Sequence, residues 1–180
     1  MRRSLLLNAL GFQLCWLAWV AGAGQGSLLP GLLATLLFAA WQLAVSAHRQ
    51  ADLVLLGLGV AAGLALDGTL ASLGLIEYRL PGPLPAPWWI LGLWACFALT
   101  LNHSLAFLAG RPRLAALLGG LGAPLAYLFA AHTWKAAKLG PDPMLALAVL
   151  GVAWAVLAPL LAECAARLRR PSGASLRVSR

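Results

Sequence analysis

Polar and apolar positions along this chain separate into long blocks; they do not alternate. Six apolar blocks run over residues 4–23, 28–47, 52–76, 87–109, 114–132 and 143–166. Each is close to the ~20 residues that carry a helix across a ~30 Å hydrocarbon core. The period-two alternation of barrel strands is absent. Backbone groups in lipid must be satisfied within the segment, so an open-ended span has to be helical. The pattern predicts an all-α, polytopic membrane bundle of six transmembrane helices filling residues 1–168.

The stretches between the blocks, "GAGQGS", "AHRQA", "EYRLPGPLPAP", "GRPR" and "WKAAKLGPD", read as turns. Pro30, Pro87 and Pro143 fall near first turns, where a missing N–H is harmless. Ser27 and Asp142 precede two of them as candidate caps.

Composition strengthens this reading. Of 180 residues, 62% are hydrophobic and 10% charged, and the mean hydropathy is +0.86. A soluble domain carries about 25% charged residues. A net charge of +8 would suggest nucleic acid in a soluble protein. Here the basic residues sit at block ends, which is a topology signal, and no nucleic-acid partner is expected.

With the N-terminus inside, the inner side collects Arg2, Arg3, Arg49, Arg111, Arg113, Arg167, Arg169, Arg170, Arg177 and Arg180, against Arg79, Lys135 and Lys138 outside. Both ends are then cytoplasmic (N-in/C-in), which agrees with an even number of spans. Trp88, Trp89 and Trp134 fall at the outer interface, as an aromatic belt would. The basic tail, residues 169–180, is expected to be disordered and to rest on the anionic inner leaflet, at ~1 kcal/mol per basic residue. The first block imitates a secretory signal peptide. Its apolar stretch exceeds the usual ~7–15 residues and carries Asn8 and Gln13, so it is read as a retained span.

Polar residues inside the blocks are the candidate chemistry. At ~1.5 Å per residue, Asp67 and Tyr127 share the outer half, with Gln25 or His132 nearby. Asn8, Gln42, Asn102, His103 and Ser104 share the inner half. Such groups either bond helix to helix, at ~0.6–2 kcal/mol each, or face a substrate. Asp67 has three readings: a structural acceptor, a cap at a helix break over "DGT", or a functional carboxylate facing a cavity.

Gly59 and Gly63 form a GxxxG pair, and Gly119, Gly120 and Gly122 precede Pro124; both sets predict close helix packing, the second with a kink. Glu163 and Arg167 are spaced as a surface i,i+4 pair. Cys15, Cys96 and Cys164 lack CxxC spacing and read as free thiols. His48, His103 and Glu163 lie toward the inside without HxxxH or HExxH spacing, so neither a metal nor a cofactor is expected.

The stretches "LLNALGFQLCWLAWVAGA", "ALDGTLASLGLIEY", "APWWILGLWACFALTLNHSLAFLAG" and "GGLGAPLAYL" occur in this order. Together they resemble a bacterial family of small inner-membrane proteins known only as a domain of unknown function, number twenty-eight seventy-eight. The residues that carry the resemblance are Asn8, Phe12, Gln13, Trp16, Asp67, Gly74, Tyr78, Pro87, Trp89, Trp94, Asn102, Ser104, Pro124 and Tyr127. His103 stands where a small or apolar residue is expected, which lowers its claim to a role.

The resemblance implies a multi-pass inner-membrane protein with no assigned activity. It also implies gene neighbours of the cyclopropane-fatty-acid-synthase and flavin-oxidoreductase kinds, an associational pointer to lipid modification. The expected function is an accessory or lipid-binding component. Asp67, Tyr127 and Tyr78 would line an outer pocket, Asn8 and Asn102 would fix the inner packing, and Gln13 and Ser104 complete the polar set. Expected partners are membrane lipids and a lipid-modifying enzyme. The alternatives are a membrane-embedded enzyme using Asp67 as acid or base and a small transporter; the sequence sets no oligomeric state.

Overall fold

The structure is a computed structural model that describes residues 2–169; the expectation for the tail falls, from residue 170 on, outside the described residues. Six helices carry the fold: α1 (Arg2–Gln25), α2 (Leu29–Val45), α3 (Arg49–Ser72), α4 (Trp88–Ala98), α5 (Pro112–Phe129) and α6 (Pro143–Leu168). Two short strands, β1 (Ile76–Tyr78) and β2 (Ala137–Leu139), lie in the α3–α4 and α5–α6 connections. They pair antiparallel, Glu77 opposite Lys138, and close one end of the bundle, called here the hairpin end. These connections are therefore not simple turns. Ile76 and Tyr78 alternate inward and Glu77 outward, which gives β1 an apolar face to bury.

By length and composition, four helices can cross a membrane: α1, α3, α6, and α5 with its π-helical continuation to Trp134. The other two helices, α2 and α4, are shorter and apolar. The expectation of one continuous helix over 87–109 is corrected. Helix α4 has 11 residues, about 16 Å, half of what a span needs. After Ala98 the chain turns through 99–105 and makes a single 3₁₀ turn over Ala106–Leu108. Thr100, Asn102, His103 and Ser104 fall in this stretch, and such side chains compete with helical hydrogen bonding. The third block also ends early as a helix, at Ser72.

Non-helical backbone in an apolar surrounding requires protein around it. Leu99, Thr100, Leu101 and Asn102 are all buried. Helix α4 sits centrally against α1, α2 and α3, while α6 joins α5 to α3. Trp19, Leu55, Trp89, Trp94 and Leu150 are among the residues that fill the core. The outside is apolar: Leu6, Leu14, Leu37, Leu121, Leu125 and Val152 are exposed. That inversion suits lipid as the solvent.

Four of the five glycines pack closely as their spacing predicted, and Gly122 does not: a Cβ there meets nothing within 4 Å. A Cβ at Gly59 would lie 2.8 Å from the Ala98 Cβ, and one at Gly63 would overlap the Trp94 indole, so both serve the α3–α4 contact. A Cβ at Gly119 would meet the Trp154 carbonyl oxygen at 2.6 Å, across the α5–α6 seam. Asp142 caps α6 by accepting from the Leu145 N–H at 3.0 Å. Ser27 does not cap; α2 begins after Leu28 without a side-chain cap. Trp88 is exposed at the hairpin end, but Trp89 is buried and donates its indole N–H to the Arg79 carbonyl at 2.9 Å, so it is not part of a lipid-facing belt.

Candidate functional site

Asp67 lies on α3, one turn beyond Gly63, and is fully buried. Three donors from three other elements converge on its carboxylate. Tyr78 on β1 donates its hydroxyl to Oδ1 at 2.6 Å, and Trp94 on α4 donates its indole N–H to Oδ2 at 2.6 Å. Tyr127 on α5 also donates to Oδ1. The two phenol rings meet edge to face at 6.5 Å, and Tyr78 meets Trp89 in the same way at 5.9 Å. Burial pushes the Tyr78 phenol well above its ordinary value, so it keeps its proton and remains a donor. Helix α3 continues past "DGT" to Ser72, so Asp67 does not cap a break.

Two cavities flank this knot. One is a groove of about 410 Å³ lined by side chains of α1, α4, α5 and α6, and it includes Trp94 and Tyr127. Its wall is aromatic: Trp94 stacks on Trp154 with centroids 4.5 Å apart, and Phe97 meets Trp154 edge to face at 5.1 Å. Exposed Gln13 and half-buried Trp16 form part of its α1 side. The other cavity, about 700 Å³, lies at the hairpin end and includes Tyr78. Asp67 thus holds one wall residue of the cavity at the hairpin end and two of the groove.

The opposite end holds two further polar groups. Asn8 donates to the Gln42 side-chain oxygen at 2.7 Å and to the Leu99 carbonyl at 3.1 Å. Its own oxygen accepts from the Ser104 N–H at 3.2 Å and hydroxyl at 2.6 Å. One asparagine thereby satisfies both sides of the turn that follows α4. Beside it, Asp52 is fully buried and accepts from Ser46, from Asn102 at 2.7 Å, and pairs with His103 Nε2 at 2.9 Å. Arg169 reaches the Asn102 carbonyl at 3.5 Å.

The structure brings together Asp67, Tyr78 and Tyr127, and separately Asn8 and Ser104. Asn102 joins Asp52 and not Asn8, and Gln13 lines the groove without joining either group. Gln25 is exposed, and His132 bonds the Leu128 carbonyl of its own helix, so neither completes the Asp67 group. Sequence reasoning missed Asp52, which stands at the start of a block and reads as part of its boundary. It also missed Trp94 as the third donor to Asp67. His103, discounted from its resemblance position, is the ring partner of Asp52.

Residues 5–160 match the family described as "Protein of unknown function (DUF2878)". The chain belongs to this family. No curated protein and no solved structure matches it. In this DUF2878 chain the match covers α1 through most of α6, and with them the Asp67 knot, the groove and the Asn8 and Asp52 groups. Family membership carries no assigned chemistry, so the geometry has to carry the functional reading.

Proposed function

We propose that this protein is an integral component of a bacterial inner membrane that holds a lipid hydrocarbon chain, acyl or isoprenoid, for a lipid-modifying partner. Both ends face the cytoplasm in this reading, because ten basic residues then lie inside against three outside. Helices α2 and α4 cross as well, α4 with the 99–108 segment, buried over residues 99–102, completing its path. The observation that carries the proposal is the aromatic groove beside Tyr127. Its volume, about 410 Å³, lies within the ~300–1,000 Å³ of small-molecule sites. Gly122 at its margin and Leu118 beside it are exposed on α5, which supports entry sideways from the membrane, where hydrocarbon chains are the solvent.

Asp67 is a buttress in this reading. Its two oxygens already receive three donors and it has no exposed surface, so a role as acid, base or proton carrier would require dismantling the wall that it holds. The enzyme and transporter readings therefore lack an accessible group at this position.

Gly122→Leu tests the proposal. A Cβ there meets nothing within 4 Å, so a larger side chain starts from open space and extends over the groove that Gly122 lines. Protein purified in mild detergent is expected to retain lipid detectable by native mass spectrometry, and Gly122→Leu to lose it while melting no lower than the parent. Equal lipid retention by both proteins would rule the groove out as the binding site.

A further inference from the structure

The cavity at the hairpin end is the larger of the two, and the knot around Asp67 leaves it unexplained. Its wall is apolar and stiff, with Ile76, Leu84 and Leu139 beside Pro81, Pro85 and Pro141. Proline fixes its own φ and offers no N–H, so this wall holds its shape and presents few backbone donors. The charged residues among those that line the cavity are Glu77 and Lys138, whose side chains turn to the exposed face of the two strands. They are direct cross-strand partners in the β1–β2 register. Their charged atoms are 3.9 Å apart, and the side chains are 77% and 81% exposed. Such a loose, solvated pair contributes little to stability. It leaves one negative and one positive group side by side at the solvent-exposed rim of the cavity, with exposed Trp88 next to Gly82 on the same rim.

A ligand that fits must carry both signs of charge close together on an apolar body. An anionic headgroup paired with Lys138 would leave the charge of Glu77 beside it uncompensated. A soluble zwitterion would leave the proline-backed wall empty. We infer that this cavity is a headgroup site for a zwitterionic phospholipid of the phosphatidylethanolamine kind, its ammonium at Glu77 and its phosphate at Lys138. The inference rests on reading the chain as a lipid-binding membrane protein with the hairpin end at the membrane surface. It gives the hairpin end a headgroup preference of its own, apart from the groove, which recognises only hydrocarbon.

The test uses the full chain in mild detergent, loaded with an equimolar mixture of phosphatidylethanolamine and phosphatidylglycerol with identical acyl chains. Native mass spectrometry reads the bound ratio. The ethanolamine lipid is expected to be enriched up to about fivefold, the discrimination that exposed charge pairing supplies. Glu77→Gln and Lys138→Gln should each bring the ratio close to one without lowering thermal stability. The double exchange Glu77→Lys with Lys138→Glu should restore enrichment, because both signs are again present. An excess of soluble phosphoethanolamine should leave the bound lipid in place; displacement by it would overturn the lipid as the source of the headgroup. Total lipid bound with no headgroup preference in the parent, or a preference untouched by Glu77→Gln, would overturn the site and leave the groove standing. Absence of any retained lipid would overturn both readings.

Discussion

Gly63 and Trp94 share one space: a Cβ on Gly63 would overlap the indole ring, and that indole donates to Asp67 one turn further along the same helix. The small residue and the carboxylate are therefore parts of one device. The missing side chain on α3 admits the ring that satisfies the carboxylate on α3.

Gly63→Ala is expected to destabilise the protein by about 1–3 kcal/mol, the usual cost of overpacking a filled core. The ring must shift, and its bond to Asp67 shifts with it. Thermal unfolding in detergent would show this, and Gly57→Ala, where a Cβ meets nothing within 4 Å, provides a control expected to leave the melting temperature unchanged or raise it.

Asp67→Ala should be the most damaging single change at the knot. It strands three donors, each costing about 1–3 kcal/mol when buried without a partner. Asp67→Asn keeps an oxygen for the two phenols but turns an amide N–H₂ toward the Trp94 N–H. Its loss should be intermediate, and Trp94→Phe in the same chain should recover part of it. A double-mutant cycle on melting temperature measures that coupling; additive losses would show that Trp94 is not the donor that Asn offends.

Tyr78→Phe and Tyr127→Phe each remove one of two donors to the same oxygen, and each should cost about 0.5–1.5 kcal/mol. The double variant should cost more than the sum, because the first loss leaves Oδ1 with one donor and the second leaves it with none. Strict additivity in chemical unfolding would separate the two phenols.

Asn8→Leu should loosen the far end of the bundle. The Leu99 carbonyl and the Ser104 N–H lose their partner together, and Gln42 is left buried without its bond. Hydrogen exchange is expected to speed up over residues 99–105 and to stay unchanged in β1 and β2. Equal acceleration at both ends would show that the turn depends on the whole bundle and not on Asn8.

The apolar blocks made the six helices and most of their ends legible, because Gly, Pro and charged residues interrupt the apolar runs where the helices end. The fourth block misled for a physical reason. Leu99, Leu101 and Leu105 keep it apolar to any window average, while Asn102, His103 and Ser104 end the helix through bonds to α1 and α3 that no local reading contains, and Thr100 donates back to the Phe97 carbonyl. Depth counting placed Asp67 and Tyr127 at one level correctly. Trp94 escaped because its indole N–H is invisible in a pattern that counts tryptophan as apolar, and Asp52 because a carboxylate at a block edge looks like the edge itself. The two strands were hidden by their length, three residues each, and by partners some sixty positions apart.

The pairing of β1 with β2 also imposes an order on how this protein is made. Strand β1 and the Asp67 carboxylate leave the ribosome well before Tyr127 and β2 exist. A nascent chain that has completed only α1 to α4 holds a carboxylate one donor short and a strand with an unpaired edge, both at the same end. The last two helices therefore arrive as the closing piece of an unfinished bundle. A chain truncated after Gly110 should be cleared by membrane proteases, whereas co-expression of α5 and α6 as a separate fragment should rescue it.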